Sequence, residues 1–134
     1  MPEKELPSLG SIKLLLVDDE KAFTDVLAKR LTKREIDVTV AYSGTEAIQT
    51  LRKQDFDVAV LDLKMEDMDG IEVLNIFMKM DSEMPVIILT GHGSEQSARD
   101  GLAKGAFDYL TKPYAFEALF QKVQDAAQKR ILKK

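Results

Sequence analysis

"VAVLDLKMEDMDG", residues Val58–Gly70, is the stretch on which the fold turns. Val58, Ala59, Val60 and Leu61 form the unbroken apolar run of a strand buried on both faces. Asp62 follows at once. A carboxylate at the end of such a strand loses water, and that costs free energy unless something there needs the charge.

Outward from this run the chain alternates. "IKLLLV" (Ile12–Val17) is a strand-length apolar run, followed by a helical stretch from about Glu20 to Arg34 with Phe23, Val26, Leu27 and Leu31 on one face. "IDVTVA" (Ile36–Ala41) is rich in β-branched residues and reads as a strand nearer an edge. "SGTE" is a capping-box pattern of Ser43 and Glu46, opening a helix with Ala47, Ile48 and Leu51 inward. After "DVAVL" comes the helix Gly70–Met80, with Ile71, Leu74 and Phe77 or Met78 inward, then the apolar strand Pro85–Thr90. A helix from about Glu95 to Lys104 stops at Gly105, a suitable C′ residue. "AFDYLT" (Ala106–Thr111) is a fifth strand ended by Pro113, and a last helix runs from about Ala115 to Leu132. Five strands and five helices in strict alternation predict an α/β fold with right-handed crossovers and a parallel sheet covered on both faces. The apolar runs of strands 1, 3 and 4 suit its middle.

Composition narrows the classes. A chain of 134 residues reads as one domain, residues 11–134, behind a loose lead-in at residues 1–10. The absence of cysteine excludes disulfides and thiolate metal sites and fits a reduced compartment. The net charge of −4 argues against nucleic acid as this domain's direct partner. No apolar run approaches the roughly 20 residues of a membrane helix. The start "MPEKELPSLGS" lacks the basic end and apolar core of a signal peptide, so the expected location is the cytoplasm, with no membrane partner.

In an open α/β sheet, ligands bind outside the carboxyl ends of the strands. Strand 1 ends in Asp18-Asp19-Glu20, strand 3 in Asp62, strand 4 in Thr90 and strand 5 in Thr111-Lys112-Pro113. Taken singly, each has a plain structural reading. Asp18 or Asp19 is a good N-cap, Thr90 ends a strand, Asp62 caps a turn and Lys112 is a solvated lysine. Taken together they are harder to dismiss. Clustered carboxylates raise one another's pKa unless a cation sits among them. Hard oxygen ligands suit Mg²⁺ beside phosphate, and a lysine with a hydroxyl suits a phosphoryl group.

The marks "LLLVDDE", "AVLDLKMEDMDG", "VIILTGHG" and "GAFDYLTKPY", in that order, resemble the receiver domains of two-component response regulators. The resemblance covers the chain from Ile12 to the last helix. It implies a flavodoxin-like, doubly wound sheet of strand order 2-1-3-4-5. Asp62 would be the phosphoacceptor. Asp19, Asp62 and the carbonyl of Lys64 would hold Mg²⁺, with Asp18 acting mostly through water. Thr90 and Lys112 would bind the phosphoryl oxygens, and Tyr109 would be the aromatic that follows the switch. The Lys112–Pro113 bond would be cis. The donor would be a sensor histidine kinase or a phosphotransfer protein. The output would be read from the face of helix 4, strand 5 and helix 5 by an output domain, a partner protein or a second copy, with homodimerisation on phosphorylation the first expectation. Such a domain catalyses its own phosphorylation and dephosphorylation but acts mainly as a switch.

The chain departs from the family pattern at two places, and its one histidine lies near the site. Glu66 stands where relatives usually have proline, so the loop after Asp62 is expected to be less rigid. Gly101 lies inside the fourth helix and should weaken it by about 1 kcal/mol. His92, the single histidine, lies two residues past Thr90. Lys64 and His92 are the candidates for tuning phosphoryl lifetime, since both flank the line of water attack.

Rival readings are weaker. A haloacid-dehalogenase-type phosphohydrolase needs a second Asp two residues after the nucleophile, and Lys64 stands there. A flavin or nucleotide binder needs a phosphate loop after strand 1, where "DDE" would repel phosphate. A receiver working only as an unphosphorylated protein-binding module would not need the full set of site residues.

Overall fold

The computed structural model describes residues 12–91 and 94–133. The elements alternate as expected: β1 (Lys13–Val17), α1 (Lys21–Lys33), β2 (Asp37–Ala41), α2 (Gly44–Lys53), β3 (Val58–Asp62), α3 (Gly70–Met80), β4 (Val86–Thr90), α4 (Glu95–Ala103), β5 (Asp108–Thr111) and α5 (Phe116–Lys133). The sheet is parallel throughout, in the order β2-β1-β3-β4-β5. The half-buried strands β2 and β5 are its edges, and the three apolar runs are its middle. The expected lead-in at residues 1–10, and His92, lie outside the described residues.

The period-2 alternation of strands splits the core into two layers. Leu14, Leu16, Val58, Val60, Ile87 and Leu89 face α1 and α5, meeting Leu27, Leu31, Leu119 and Val123. Leu15, Val17, Ala59, Leu61, Val86 and Ile88 face the other way, meeting Ile48, Leu51, Leu74 and Phe77 of α2 and α3. The same parity places the chemistry. Asp18 and Asp62 continue the even positions of β1 and β3, and Lys112 continues Leu110 of β5, so all three fall on the α1/α5 side. Thr90 continues Ile88 and falls on the opposite side.

Two helix faces differ from the sequence reading. On α1 the buried residues are Thr24, Leu27 and Leu31, while Phe23 and Val26 are 37% and 59% exposed. Apolarity favoured the wrong face because Thr24 satisfies its hydroxyl locally, donating to the Glu20 carbonyl at 2.7 Å. On α3, Val73 is fully buried beside Leu74 and Phe77, and Ile71 is only partly covered. The α2 cap forms with one shift. Ser43 Oγ accepts the Glu46 N–H at 3.0 Å, but the Glu46 carboxylate reaches back to the N–H of Tyr42 rather than of Ser43.

Gly101 has a packing reason. A Cβ there would fall 2.2 Å from Cδ1 of the fully buried Ile88. The glycine lets α4 lie close on β4, so its cost in helix propensity is offset by contact. Gly105, with φ of +112°, ends α4 as expected.

Candidate functional site

Val17, the last residue of β1, pairs with Leu61 one residue before β3 ends at Asp62, and Asp62 pairs with Leu89 one residue before β4 ends at Thr90. The site therefore sits on one rim, fixed by ladder hydrogen bonds. Asp18 is fully buried, Asp62 is 5% exposed and Thr90 is 2% exposed. The residues after β1 do not cap α1 in the usual way. Its N-cap is Glu20, with no side-chain bond, and Asp18 Oδ1 accepts the Glu20 N–H at 3.1 Å. Asp18 Oδ2 is left to face the rim.

Lys112 organises the rim. Its Nζ lies 3.3 Å from Asp18 Oδ2, 3.3 Å from Asp62 Oδ2 and 3.6 Å from Glu20 Oε1. The Phe23 ring covers it, with Nζ 4.7 Å from the ring centroid. The Lys112–Pro113 bond is cis, and the Lys112 N–H donates to the Thr90 carbonyl at 2.8 Å. Asp62 Oδ1 accepts the Lys64 N–H at 3.2 Å. An open cavity of about 390 Å³ is lined by Asp19, Glu20, Asp62, Lys64, Met65, Glu66, Gly91 and Lys112.

The charges are unbalanced. Burial raises the Asp62 pKa to about 6, with Asp18 adding to it, against the opposing pull of Lys112 and the Lys64 N–H. For Lys112 burial acts downward, but Asp62 and Asp18 carry its pKa above the ordinary lysine value. One ammonium thus faces Asp18, Glu20 and an Asp62 carboxylate that burial, with the Asp18 charge, pushes toward protonation.

Asp18, Glu20 and Asp62 each offer a carboxylate oxygen within 4.8 Å of the others. This all-oxygen donor set suits a hard divalent cation. Glu20 belongs to this group although the resemblance assigned it no role; its place in the acidic run after strand 1 was the available signal. Asp19 lines the same cavity, and its Oδ2 accepts the N–H of Glu66 at 2.9 Å. A proline at position 66 could not make that bond, which ties the loop after Asp62 to Asp19. Asp67 is tied as well, its pKa lowered foremost by the N–H of Gly44, with Thr45 assisting. Thr90 stands apart from the carboxylates. Its hydroxyl points to the Leu110 carbonyl at 3.5 Å, a long and weak contact. Tyr109 is half-buried on β5 against the α2/α3 layer.

A family model described as the response regulator receiver domain matches residues 14–124. The chain is 40% identical over 115 residues to the transcriptional regulatory protein GlrR of Escherichia coli, covering 86% of this chain and 26% of that protein. It is 40% identical over 113 residues to the transcriptional regulatory protein TrcR of Mycobacterium tuberculosis, covering 84% of this chain and 44% of that protein. The chain thus spans less than half the length of these curated relatives. Among solved structures, the receiver domain of the Francisella response regulator 1452 is 35% identical with a TM-score of 0.82, covering 88% of this chain and 98% of that one. A response regulator receiver domain from Clostridium thermocellum is 31% identical with a TM-score of 0.88, covering 92% and 99%.

Proposed function

The chain belongs to the response regulator receiver family, and on that premise we propose that Asp62 accepts a phosphoryl group from a phosphohistidine and so switches the α4-β5-α5 face. The observation that carries the reading is Lys112, 3.3 Å from Oδ2 of both Asp18 and Asp62 at the open end of a buried strand. An Asp62 oxygen attacks phosphorus, the new P–O bond forms, the P–N bond to the donor imidazole breaks, and the imidazole regains a proton from solvent. Water later attacks the same phosphorus, returning the Asp62 carboxylate and inorganic phosphate.

The acidic rim would hold Mg²⁺ through Asp62 and Asp19, with the Lys64 carbonyl beside them and Asp18 acting through water. Glu20 is a further candidate from its closeness to Asp18 and Asp62. Bound there, Mg²⁺ would supply charge neutralisation for the phosphoryl oxygens. Lys112 would then move its contact from the carboxylates to the phosphoryl group. The Thr90 hydroxyl, weakly held at Leu110, would be drawn to a phosphoryl oxygen, vacating space that Tyr109 can fill. Lys64, on the cavity wall, would hinder the attacking water, and His92 is a second candidate for the same role.

The partner that brings the phosphohistidine needs a contact surface. Phe23 and Val26 are exposed large apolar side chains on α1, and Phe23 lies directly over Lys112. A sensor histidine kinase or phosphotransfer protein would seat there. The changed face would act on an output domain, a partner protein or a second copy in a phosphorylation-dependent homodimer. No helix among the described residues is long and apolar enough to cross a membrane, which suits a cytoplasmic switch in one domain spanning residues 11–134. The test is intact mass after incubation with acetyl phosphate, with and without Mg²⁺. One phosphate adduct is expected, dependent on Mg²⁺ and absent in Asp62→Asn. A full-yield adduct in Asp62→Asn would remove Asp62 from this role.

A further inference from the structure

The loop from Asp62 to α3, residues 63–69, is held from outside at two adjoining points. The N–H of Glu66 donates to Asp19 Oδ2 at 2.9 Å. One residue on, the Asp67 carboxylate seats on the first turn of α2. Its Oδ1 accepts the Gly44 N–H at 3.0 Å, and its Oδ2 accepts the Thr45 N–H at 3.0 Å and the Thr45 hydroxyl at 3.1 Å. The first N–H groups of a helix have no partner within it, and the helix dipole favours an anion there. Ser43 already serves the N–H of Glu46, so Asp67 and Ser43 together satisfy three consecutive donors. Met68 packs on the same turn. A Cβ at Gly44 would fall 3.0 Å from Met68 Sδ and 2.9 Å from Val73 Cγ2, so the loop and α3 both pack closely on this turn.

The Glu66 N–H belongs to the Met65–Glu66 peptide, one residue before Asp67, so anchoring the Asp67 side chain on α2 restricts the short segment that presents it. We infer that Asp67 is a positioning residue for the acidic cavity: seated on α2, it holds the Glu66 N–H against Asp19 and orients that carboxylate for a divalent cation. The inference rests on the metal reading proposed above. The Glu66 side chain is exposed, and only its backbone N–H is required, a group that proline lacks. The plain alternative is that Asp67 only caps α2.

The experiment compares the parent with Asp67→Ala, Asp67→Asn, Glu66→Pro and the Glu66→Pro/Asp67→Ala double variant. Two quantities are read: amide exchange in metal-free protein, and the Mg²⁺ concentration giving half of the maximal rise in Tm. Asp67→Ala should speed exchange at residue 66 and raise the Mg²⁺ midpoint about tenfold, the usual size for losing an outer partner of a metal ligand. Glu66→Pro should raise the midpoint similarly while the α2 amides stay protected, because the Asp67 cap survives. The double variant should be no worse than Asp67→Ala alone, since both changes act through Asp19. Asp67→Asn, which keeps an acceptor but loses the charge, should fall between and serves if Asp67→Ala does not fold. A Mg²⁺ midpoint unchanged in Asp67→Asn and Glu66→Pro, with only α2 protection altered in the former, overturns the inference and leaves Asp67 a cap. A parent without a Mg²⁺-dependent rise overturns the metal reading and this inference with it.

Discussion

The Nζ of Lys112 lies 3.3 Å from Asp62 Oδ2, across 50 residues of sequence. Strand parity brings them to one side of the sheet, and the cis Lys112–Pro113 bond follows directly. The pair sets the electrostatic behaviour of the rim.

Removing the ammonium leaves buried carboxylates unpaired. Lys112→Met is expected to destabilise the protein by on the order of 3 kcal/mol near pH 8. The loss should shrink toward about pH 4, where Asp62 takes up a proton. Urea unfolding at the two pH values measures it, and an equal loss at both would show that Lys112 acts by packing alone.

Asp62 holds its proton more tightly folded than unfolded, with a pKa raised to about 6. That contribution is fully present below the unfolded value of ~4 and is lost as pH rises through the folded value. Asp62→Asn, which stays neutral, should therefore stabilise the protein near neutral pH by on the order of 2 kcal/mol and change little below about pH 4. Tm against pH for the two proteins checks this; parallel curves would contradict the raised pKa.

Mg²⁺ held at Asp62, as proposed above, would compete with that proton. The Mg²⁺-dependent rise in Tm should be large near pH 8 and small near about pH 5, where Asp62 is mostly protonated. Asp19→Ala should abolish the rise and Asp18→Ala should weaken it. An Asp19→Ala protein that responds like the parent would exclude Asp19 as a ligand.

Gly101→Ala should destabilise despite the better helix propensity of alanine. The new methyl meets Ile88 Cδ1, and overpacking costs about 1–3 kcal/mol against about 1 kcal/mol gained. Ile88→Val removes the clashing methyl, so the double variant should be more stable than the sum of the single changes predicts. Simple additivity in urea would deny the contact.

The two-layer parallel sheet was legible in the sequence because strands buried on both faces must be apolar at every position. β1, β3 and β4 therefore announce themselves, and Asp62 stands out as the first polar residue after such a run. The residues of the rim were legible for a related reason: the ends of parallel strands are where this topology gathers polar groups. Helix faces were less legible. Phe23 and Val26 have the apolarity of core residues, and nothing local reveals that Thr24 can bury itself by bonding the Glu20 carbonyl. Glu20 drew no role from the family pattern, although it follows Asp18 and Asp19 directly; the folded rim places its carboxylate beside those of Asp18 and Asp62. The tie from Glu66 to Asp19, the seat of Asp67 on α2 and the notch at Gly101 were invisible. Each is a contact between segments far apart in the chain, and its existence depends on a few tenths of an ångström in how finished elements pack. Hydrophobic patterning determines which elements form and which face inward on average. Tertiary packing alone decides which oxygen meets which N–H, because a hydrogen bond fails within an ångström while apolar burial tolerates that displacement.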